Sequence, residues 1–202
     1  MQIQLIAIRL GRPLTDDEVR QMMDFLPPHR RELLCRETER ANLSRPDVPD
    51  EALCAYTALF LGLHALYGWN SMPEIAYDRY GKPYFPDYPD VHFNLSHTRD
   101  AVLVGIHDQP LGVDIEKIRP VSERTMERLA GVTTQKEFFE SWVRRESRGK
   151  WGGSGVAAMR ETDAPTMYGE RFCFVDTFKG YVACVCTHSK DSLGEVQCFS
   201  LS

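Results

Sequence analysis

The sequence predicts an α+β protein, because helix-like and strand-like segments occur in separate runs along the chain. Apolar residues recur at helical spacing in the first third of the chain and again between residues 122 and 150. Between and after these regions, short apolar segments bounded by Gly, Pro, Asn or Asp are typical of strands and turns. Helices grouped between runs of strands favour this class over a regular βαβ alternation.

The N-terminal third is expected to hold one strand and three helices. The first strand covers residues 1–9, and Thr15-Asp16-Asp17-Glu18 after it has the sequence of a capping box that begins a helix. A short charged helix is expected from residue 29 to about residue 40. The next helix carries an apolar stripe and ends at Gly68; its stripe is Leu53, Tyr56, Phe60, Leu63 and Tyr67.

The rest of the chain is expected to contain two strand regions separated by two helices. Residues 122–130 and 134–150 have helical spacing, and the glycine-rich residues 152–155 indicate a loop. A hairpin is expected around Lys179-Gly180, in which two strands flank a tight turn. The expected strands are 91–95, 101–106, 111–116, 171–178, 181–187 and 196–201.

Composition and charge exclude several function classes. The 202 residues are 43% hydrophobic and 26% charged, which is ordinary for a globular domain. A net charge of −5 argues against nucleic-acid binding, which needs a basic face. The apolar stretches are too short for a membrane span, the N-terminus lacks the features of a signal peptide, and we expect a cytoplasmic protein. None of the six cysteines forms a Cys-x-x-Cys pair, so a zinc knuckle is not expected.

Asp114 and Glu116 are the first candidate site residues. They stand two apart in the expected strand Gly112-Val113-Asp114-Ile115-Glu116, so both side chains project from the same face. Paired carboxylates are the hard oxygen ligands that suit Mg²⁺. A solvated acidic strand face would give the same pattern, and the pair alone does not decide between the two.

Glu146 and Lys150 are the second candidate pair. Four residues apart in an expected helix, they share one face. An exposed ion pair is the ordinary reading of this spacing, and it would contribute a few tenths of a kcal/mol. The alternative is a carboxylate that completes a metal site beside a lysine that binds an anion.

Three polar residues near the expected strand 91–95 suggest a phosphate site. Ser96 and His97 follow that strand, where a hydroxyl, an imidazole and backbone groups can meet phosphate oxygens. Lys82 lies in the turn Gly81-Lys82-Pro83 and is either an exposed turn lysine or a second phosphate contact. Each residue has an ordinary structural explanation, so the hypothesis depends on their combination.

The order of these motifs resembles the 4′-phosphopantetheinyl transferases, in particular the larger, Sfp-type branch. The matching motifs are Arg12-Pro13-Leu14, Pro28-His29-Arg30-Arg31-Glu32, Gly81-Lys82-Pro83, Phe93-Asn94-Leu95-Ser96-His97, Gly112-Val113-Asp114-Ile115-Glu116 and Trp142-x-x-Arg145-Glu146-x-x-x-Lys150. The resemblance covers nearly the whole chain. It implies a pseudo-two-fold pair of similar α+β halves, residues 1–108 with the coenzyme A phosphate contacts and the carrier side, and residues 109–202 with the metal and catalytic groups. It also makes a monomer the expected state.

The resemblance implies a Mg²⁺-dependent transfer of the 4′-phosphopantetheine arm of coenzyme A to a serine of an acyl, peptidyl or aryl carrier protein. Such carriers serve fatty acid, polyketide or nonribosomal peptide biosynthesis, and adenosine 3′,5′-bisphosphate is the other product. The implied metal ligands are Asp114, Glu116 and Glu146. Glu146, directly or through a water on the metal, would deprotonate the serine, and Lys150 would neutralise the transferring phosphate. The implied coenzyme A contacts are Lys82, Ser96, His97, Lys150 and Arg30, with His97 also counted as catalytic.

The chain departs from the family pattern at a few positions. Arg145 replaces a lysine, and Gly149 replaces an apolar residue inside the helix, where glycine costs about 0.5–1 kcal/mol relative to alanine. The segment between Glu116 and Trp142 is short for this branch. These departures motivate an alternative function, a catalytically weak member of the same fold that binds coenzyme A or a carrier. A metal-dependent phosphoesterase is a further alternative that no motif specifically favours.

Overall fold

A computed structural model of the chain describes residues 1–152, 169–188 and 190–202. Its fold is α+β, as the sequence predicts. The helices are α1 (Asp16–Met23), α2 (Pro28–Arg40), α3 (Asp50–Tyr67), α4 (Glu123–Ala130) and α5 (Gln135–Gly152). The strands are β1 (Gln2–Leu10), β2 (Ala76–Tyr77), β3 (Pro83–Tyr84), β4 (His92–Thr98), β5 (Ala101–His107), β6 (Gly112–Lys117), β7 (Glu170–Phe174), β8 (Tyr181–His188) and β9 (Ser192–Leu201).

One four-stranded sheet has the strand order β4-β5-β1-β9. The long helix α3 packs on it and buries Leu53, Leu59 and Leu63 completely against residues of β1 and β5. The predicted capping box at Thr15 and Glu18 is present and begins α1. A small hairpin, β2-β3, carries the Gly81-Lys82-Pro83 segment at its turn.

The second sheet has the order β6-β8-β7 and is covered by α5. Its three strands have the same topology as β4, β5 and β1 of the first sheet, which also contains β9. In both sheets, the hairpin strands that follow the helices are antiparallel, and the second of them pairs antiparallel with the strand that precedes the helices. Phe139 and Val143 of α5 are buried in a core cluster with Cys184 of β8.

The two sheets also share a core. Leu5 and Leu103 of the first sheet pack in one cluster with Val113, Ile115 and Val185 of the second, and all five side chains are fully buried. This shared core places β4 beside β6, with the polar residues of both strands between them. The candidate site therefore lies where the sheets meet.

The last strand lies in the C-terminal part of the chain but pairs with the first sheet. β9 was expected only as a strand at residues 196–201, but it begins at Ser192 and runs parallel to β1 in the first sheet. Residues 153–155 of the expected glycine-rich loop lie outside the described residues. Within the described ranges, no helix has the length and apolar character needed to cross a membrane. All six cysteines are free.

Candidate active site

A line of polar side chains joins β4 to β6. The carboxamide oxygen of Asn94 accepts a hydrogen bond from the Val113 amide at 2.8 Å. Two residues along, the Ser96 hydroxyl donates to Asp114 Oδ1 at 2.6 Å and accepts from the Ile115 amide at 3.3 Å. Because side chains alternate along a strand, every second residue of β4 reaches β6. These contacts fix β6 and the two predicted acids on it.

Asp114 is buried and forms an ion pair with a lysine. The residue is 4% exposed, and Oδ1 accepts from Lys150 Nζ at 2.7 Å as well as from Ser96. Oδ2 is buried and has no hydrogen-bond partner. Burial raises the pKa of Asp114, and the nearby Lys150 and Ser96 partly oppose this effect. Oδ2 is therefore a buried polar atom whose missing interaction a ligand can supply.

Gly112 explains how Lys150 of α5 reaches Asp114. A Cβ atom at residue 112 would lie 2.0 Å from the Ser147 carbonyl oxygen and 2.4 Å from the Trp151 amide nitrogen. Only glycine therefore lets the backbones of α5 and β6 approach this closely. Lys150 Nζ also donates to the Val113 carbonyl at 3.2 Å. The helix continues through Gly149, which is buried, so the glycine does not end it.

Glu116 is held by residues that the sequence analysis did not identify. Its Oε2 accepts from Thr98 Oγ1 at 3.1 Å and from Arg119 Nη1 at 2.7 Å. Thr98 continues the alternation begun by Asn94 and Ser96, and period-two spacing in the strand was the signal that would have identified it. Arg119 is three residues beyond Glu116, in the segment that follows β6, and no spacing rule predicts that contact.

Glu146 lies half-buried on α5 and interacts electrostatically with Asp114, Lys150 and Glu116. Its pKa is raised, first by burial and then by repulsion from Asp114. In the part of the chain that the structure describes, no three His, Cys, Asp or Glu side chains come close enough to hold a metal ion. The donor chemistry nevertheless fits Mg²⁺, because three carboxylates share one electrostatic environment and Asp114 has a buried, unpartnered oxygen.

Lys82 and Lys150 line a common cleft of about 220 Å³, and Lys150 connects it to Asp114. Lys82 Nζ donates to the Trp151 carbonyl at 3.1 Å, and burial lowers its pKa. Two lysines that converge on one cleft make it suitable for an anion with more than one phosphate. The other lining residues are Tyr80, Gly81, Pro83, Asn94, Leu95 and Gly149.

Ser96 and His97 point to opposite faces of β4. Ser96 is 3% exposed and faces Asp114, whereas His97 is exposed. The alternation of strand side chains means that the two side chains do not bind the same phosphate group. Ser96 is thus placed to orient Asp114, and His97 is the member of the pair that is accessible from outside.

Arg30 lies on α2, away from the acids. Its guanidinium stands over the ring of Tyr56, 5.7 Å from the ring centroid, and its Nε is buried without a hydrogen-bond partner. The Tyr56 hydroxyl in turn contacts the Tyr77 hydroxyl at 3.3 Å, in the hairpin that also carries Lys82. A buried unpaired donor on an arginine is a feature that an anion would satisfy.

Arg145 contacts a different part of the molecule. Its guanidinium donates to the Leu129 carbonyl at the end of α4, where a cation stabilises the partial negative charge of the helix terminus. The replacement of lysine by arginine at this position therefore gives α4 a C-terminal contact.

Comparison with known proteins adds independent evidence. No family model matches the chain. The chain is 25% identical to "4′-phosphopantetheinyl transferase Sfp" of Bacillus subtilis, over 94% of both proteins. This match confirms the predicted resemblance to the Sfp-type 4′-phosphopantetheinyl transferases. The names of the relatives support the prediction that the chain is a 4′-phosphopantetheinyl transferase.

Two further relatives carry the same name. The 4′-phosphopantetheinyl transferase psf-1 of Bacillus pumilus is 27% identical over 77% of this chain and 71% of the relative. The 4′-phosphopantetheinyl transferase AcpT of Salmonella typhimurium is 28% identical over 58% of this chain and 69% of the relative. The first of these matches includes most of the chain, so the similarity to transferases of this name is not limited to one motif.

Proposed function

We propose that this transferase moves the 4′-phosphopantetheine arm of coenzyme A to a serine of an apo acyl, peptidyl or aryl carrier protein, releasing adenosine 3′,5′-bisphosphate. The observation that carries the proposal is the contact between Asp114 and Lys150, which stands at the edge of the cleft shared with Lys82. A buried acid with a free oxygen, paired with a lysine that lines the same cleft as Lys82, suits a metal-bound pyrophosphate.

Asp114, Glu116 and Glu146 would hold Mg²⁺, which when bound neutralises the pyrophosphate and stabilises charge in the transition state. Without a cation, burial and, to a smaller extent, repulsion between the carboxylates disfavour ionisation, and both raise the pKa values of Asp114 and Glu146. We infer that cation binding is part of the functional state of the site.

The remaining steps follow from the chain's own residues. Glu146 accepts the proton of the carrier serine, whose oxygen then bonds to the phosphorus that carries the pantetheine arm. The anhydride bond to adenosine 3′,5′-bisphosphate breaks, and the leaving oxygen takes the electron pair. Lys150 and Lys82 neutralise the phosphates. Ser96, which the resemblance implied as a coenzyme A contact, instead orients Asp114 in this proposal.

Contacts farther along coenzyme A are assigned to His97 and Arg30. His97 is the accessible side chain of its pair, and Arg30 offers a buried, unpaired Nε. We propose that both bind phosphate oxygens. The matching strand order of the two sheets supports the pseudo-two-fold relation between the halves. A monomer acting in the cytoplasm, with no nucleic-acid or membrane partner, remains part of this proposal.

The test is a transfer assay. The protein is incubated with coenzyme A, Mg²⁺ and several apo carrier proteins, and each carrier is weighed by mass spectrometry. A mass gain equal to one phosphopantetheine group supports the proposal. No gain on any carrier, while a known transferase modifies the same carriers, would overturn it.

A catalytically weak, coenzyme A-binding role is the second candidate. The observation that favours it is that the acids do not form a three-group metal site within the described ranges. Calorimetric titration separates the two candidates: coenzyme A binding without any carrier modification favours the weak member, whereas binding with turnover favours the transferase.

A further inference from the structure

The two acids of β6 are each held through a single oxygen. Asp114 Oδ1 accepts hydrogen bonds from both Lys150 and Ser96, whereas Oδ2 is buried and has no hydrogen-bond partner. Glu116 Oε2 likewise accepts hydrogen bonds from both Thr98 and Arg119, and within the described residues no hydrogen bond reaches Oε1. In each carboxylate, one oxygen therefore accepts hydrogen bonds from a basic side chain and from a hydroxyl group, and the other oxygen accepts none.

Arg119 is itself fixed. Its Nη1 also donates to the Lys117 carbonyl at 3.2 Å, and its guanidinium stands over Phe139 at 4.8 Å from the ring centroid. The exposed guanidinium is thus held by an ion pair, a backbone bond and a ring contact at once. The hydroxyl of Thr98 adds a hydrogen bond from the neighbouring strand, so the position of the Glu116 carboxylate is fixed by two separate side chains.

We propose that Thr98 and Arg119 are specificity-determining residues that make the site select Mg²⁺ over Ca²⁺. This inference rests on the proposed function, because it concerns the same metal. Ca²⁺ accepts six to eight oxygens and often takes a carboxylate through both oxygens, whereas the smaller Mg²⁺ demands a near-octahedral set. A carboxylate with one oxygen already occupied offers a single ligand, which suits Mg²⁺ and penalises Ca²⁺.

The ratio of the two affinities distinguishes this role from simple electrostatics. Removing the charge of Arg119 strengthens the attraction for any divalent cation, so it changes the Mg²⁺ and Ca²⁺ affinities in parallel. Releasing the second oxygen of Glu116 benefits only the ion that uses it. A variant that lacks one of the hydrogen bonds to Glu116 should therefore have a higher affinity for Ca²⁺ relative to its affinity for Mg²⁺.

The experiment measures dissociation constants for Mg²⁺ and Ca²⁺ from the rise in melting temperature with ion concentration, without coenzyme A. The variants are Arg119→Ala, Arg119→Lys and Thr98→Val, the last of which removes a hydroxyl without changing charge. Arg36→Ala is the matched control, because Arg36 pairs with Glu32 on the exposed face of α2. Circular dichroism establishes that each variant folds.

We expect the ratio of the Ca²⁺ to the Mg²⁺ dissociation constant to fall about fivefold in Arg119→Ala and about two- to threefold in Thr98→Val, as loss of one hydrogen bond implies. Arg119→Lys should show a fall because a lysine lacks the planar guanidinium that stands over Phe139 and fixes the contact, and Arg36→Ala should show none. Parallel changes in both affinities for the Arg119 variants, with Thr98→Val unchanged, would overturn the inference.

Failure of the inference and failure of the proposed function give different results. If the wild-type protein binds Mg²⁺ and modifies a carrier but the ratio is the same in all variants, only the selectivity inference fails. If the wild-type protein neither binds Mg²⁺ nor modifies a carrier, the proposed function fails and the inference falls with it.

Discussion

Replacing Gly112 by alanine should separate α5 from β6 and thereby disrupt the site. The new Cβ would meet the Ser147 carbonyl oxygen at 2.0 Å and the Trp151 amide nitrogen at 2.4 Å. Ordinary contacts need about 3.5 Å, so the helix backbone must withdraw by roughly 1–1.5 Å. Lys150 bonds Asp114 at 2.7 Å, and a shift of that size would break the bond.

We expect two measurable consequences. Overpacking in a well-packed core costs about 1–3 kcal/mol, which urea unfolding would report as a lower free energy of unfolding. A displacement of about 1 Å in catalytic groups can lower kcat on the order of 100-fold, which the carrier-modification assay would report. Gly62→Ala is the matched control, because its Cβ meets the flexible end of Ile106 at 2.4 Å rather than a backbone.

The control should lose stability without a specific loss of activity. Gly62 lies in α3 and packs against Ile106 and Ile6, away from the acids. If Gly112→Ala has the same urea midpoint of unfolding as the wild type and retains kcat within about threefold, the close approach of α5 does not position Lys150. Equal losses of kcat in both variants would show that the effect is general destabilisation.

Three further predictions use the same assays. Lys82→Ala should raise the KM for coenzyme A about tenfold, whereas Lys179→Ala, in another glycine-containing turn, should leave it unchanged. Asp114→Asn should abolish transfer in a folded protein, and Asp114→Ala should in addition lose about 1–3 kcal/mol in urea unfolding, because Lys150 and other donors lose a buried acceptor. The raised pKa of Glu146 means that the folded chain binds this proton more tightly than the unfolded chain, so the stability it contributes is present at low pH and is lost as pH rises through the folded pKa. Glu146→Gln should therefore melt higher than the wild type near pH 7 in a metal chelator, and a difference that persists below the ordinary pKa of 4.5 would contradict this.

Local patterns predicted most of the elements of this protein. The capping box begins α1 where expected, and the helix stripes of α3 and α5 correspond to buried faces. Period-two spacing correctly placed Asp114 on the face of β6 that meets the polar side chains of β4. Ser96 and His97 were expected to follow the strand, but β4 continues to Thr98, so the alternation of side chains places them on opposite faces.

Contacts between distant segments were not accessible to such rules. The parallel pairing of β9 with β1 joins the two ends of the chain, and no hydrophobic period specifies which strand is the neighbour. The hydrogen bond from Thr98 to Glu116 depends on how the two sheets meet. The burial of Asp114 as an acceptor for Lys150 and Ser96 likewise depends on how α5 and β4 pack against β6, which no spacing along the chain specifies.

The sequence by itself determined the α+β class, the family resemblance and which side chains carry the candidate chemistry, because these depend on residue type and short spacings. The tertiary structure decided how those side chains are used. It brought Lys82 and Lys150 to one cleft, placed α5 against Gly112, and left a buried oxygen of Asp114 free. These outcomes depend on packing between elements far apart in the chain, which local periodicity does not encode.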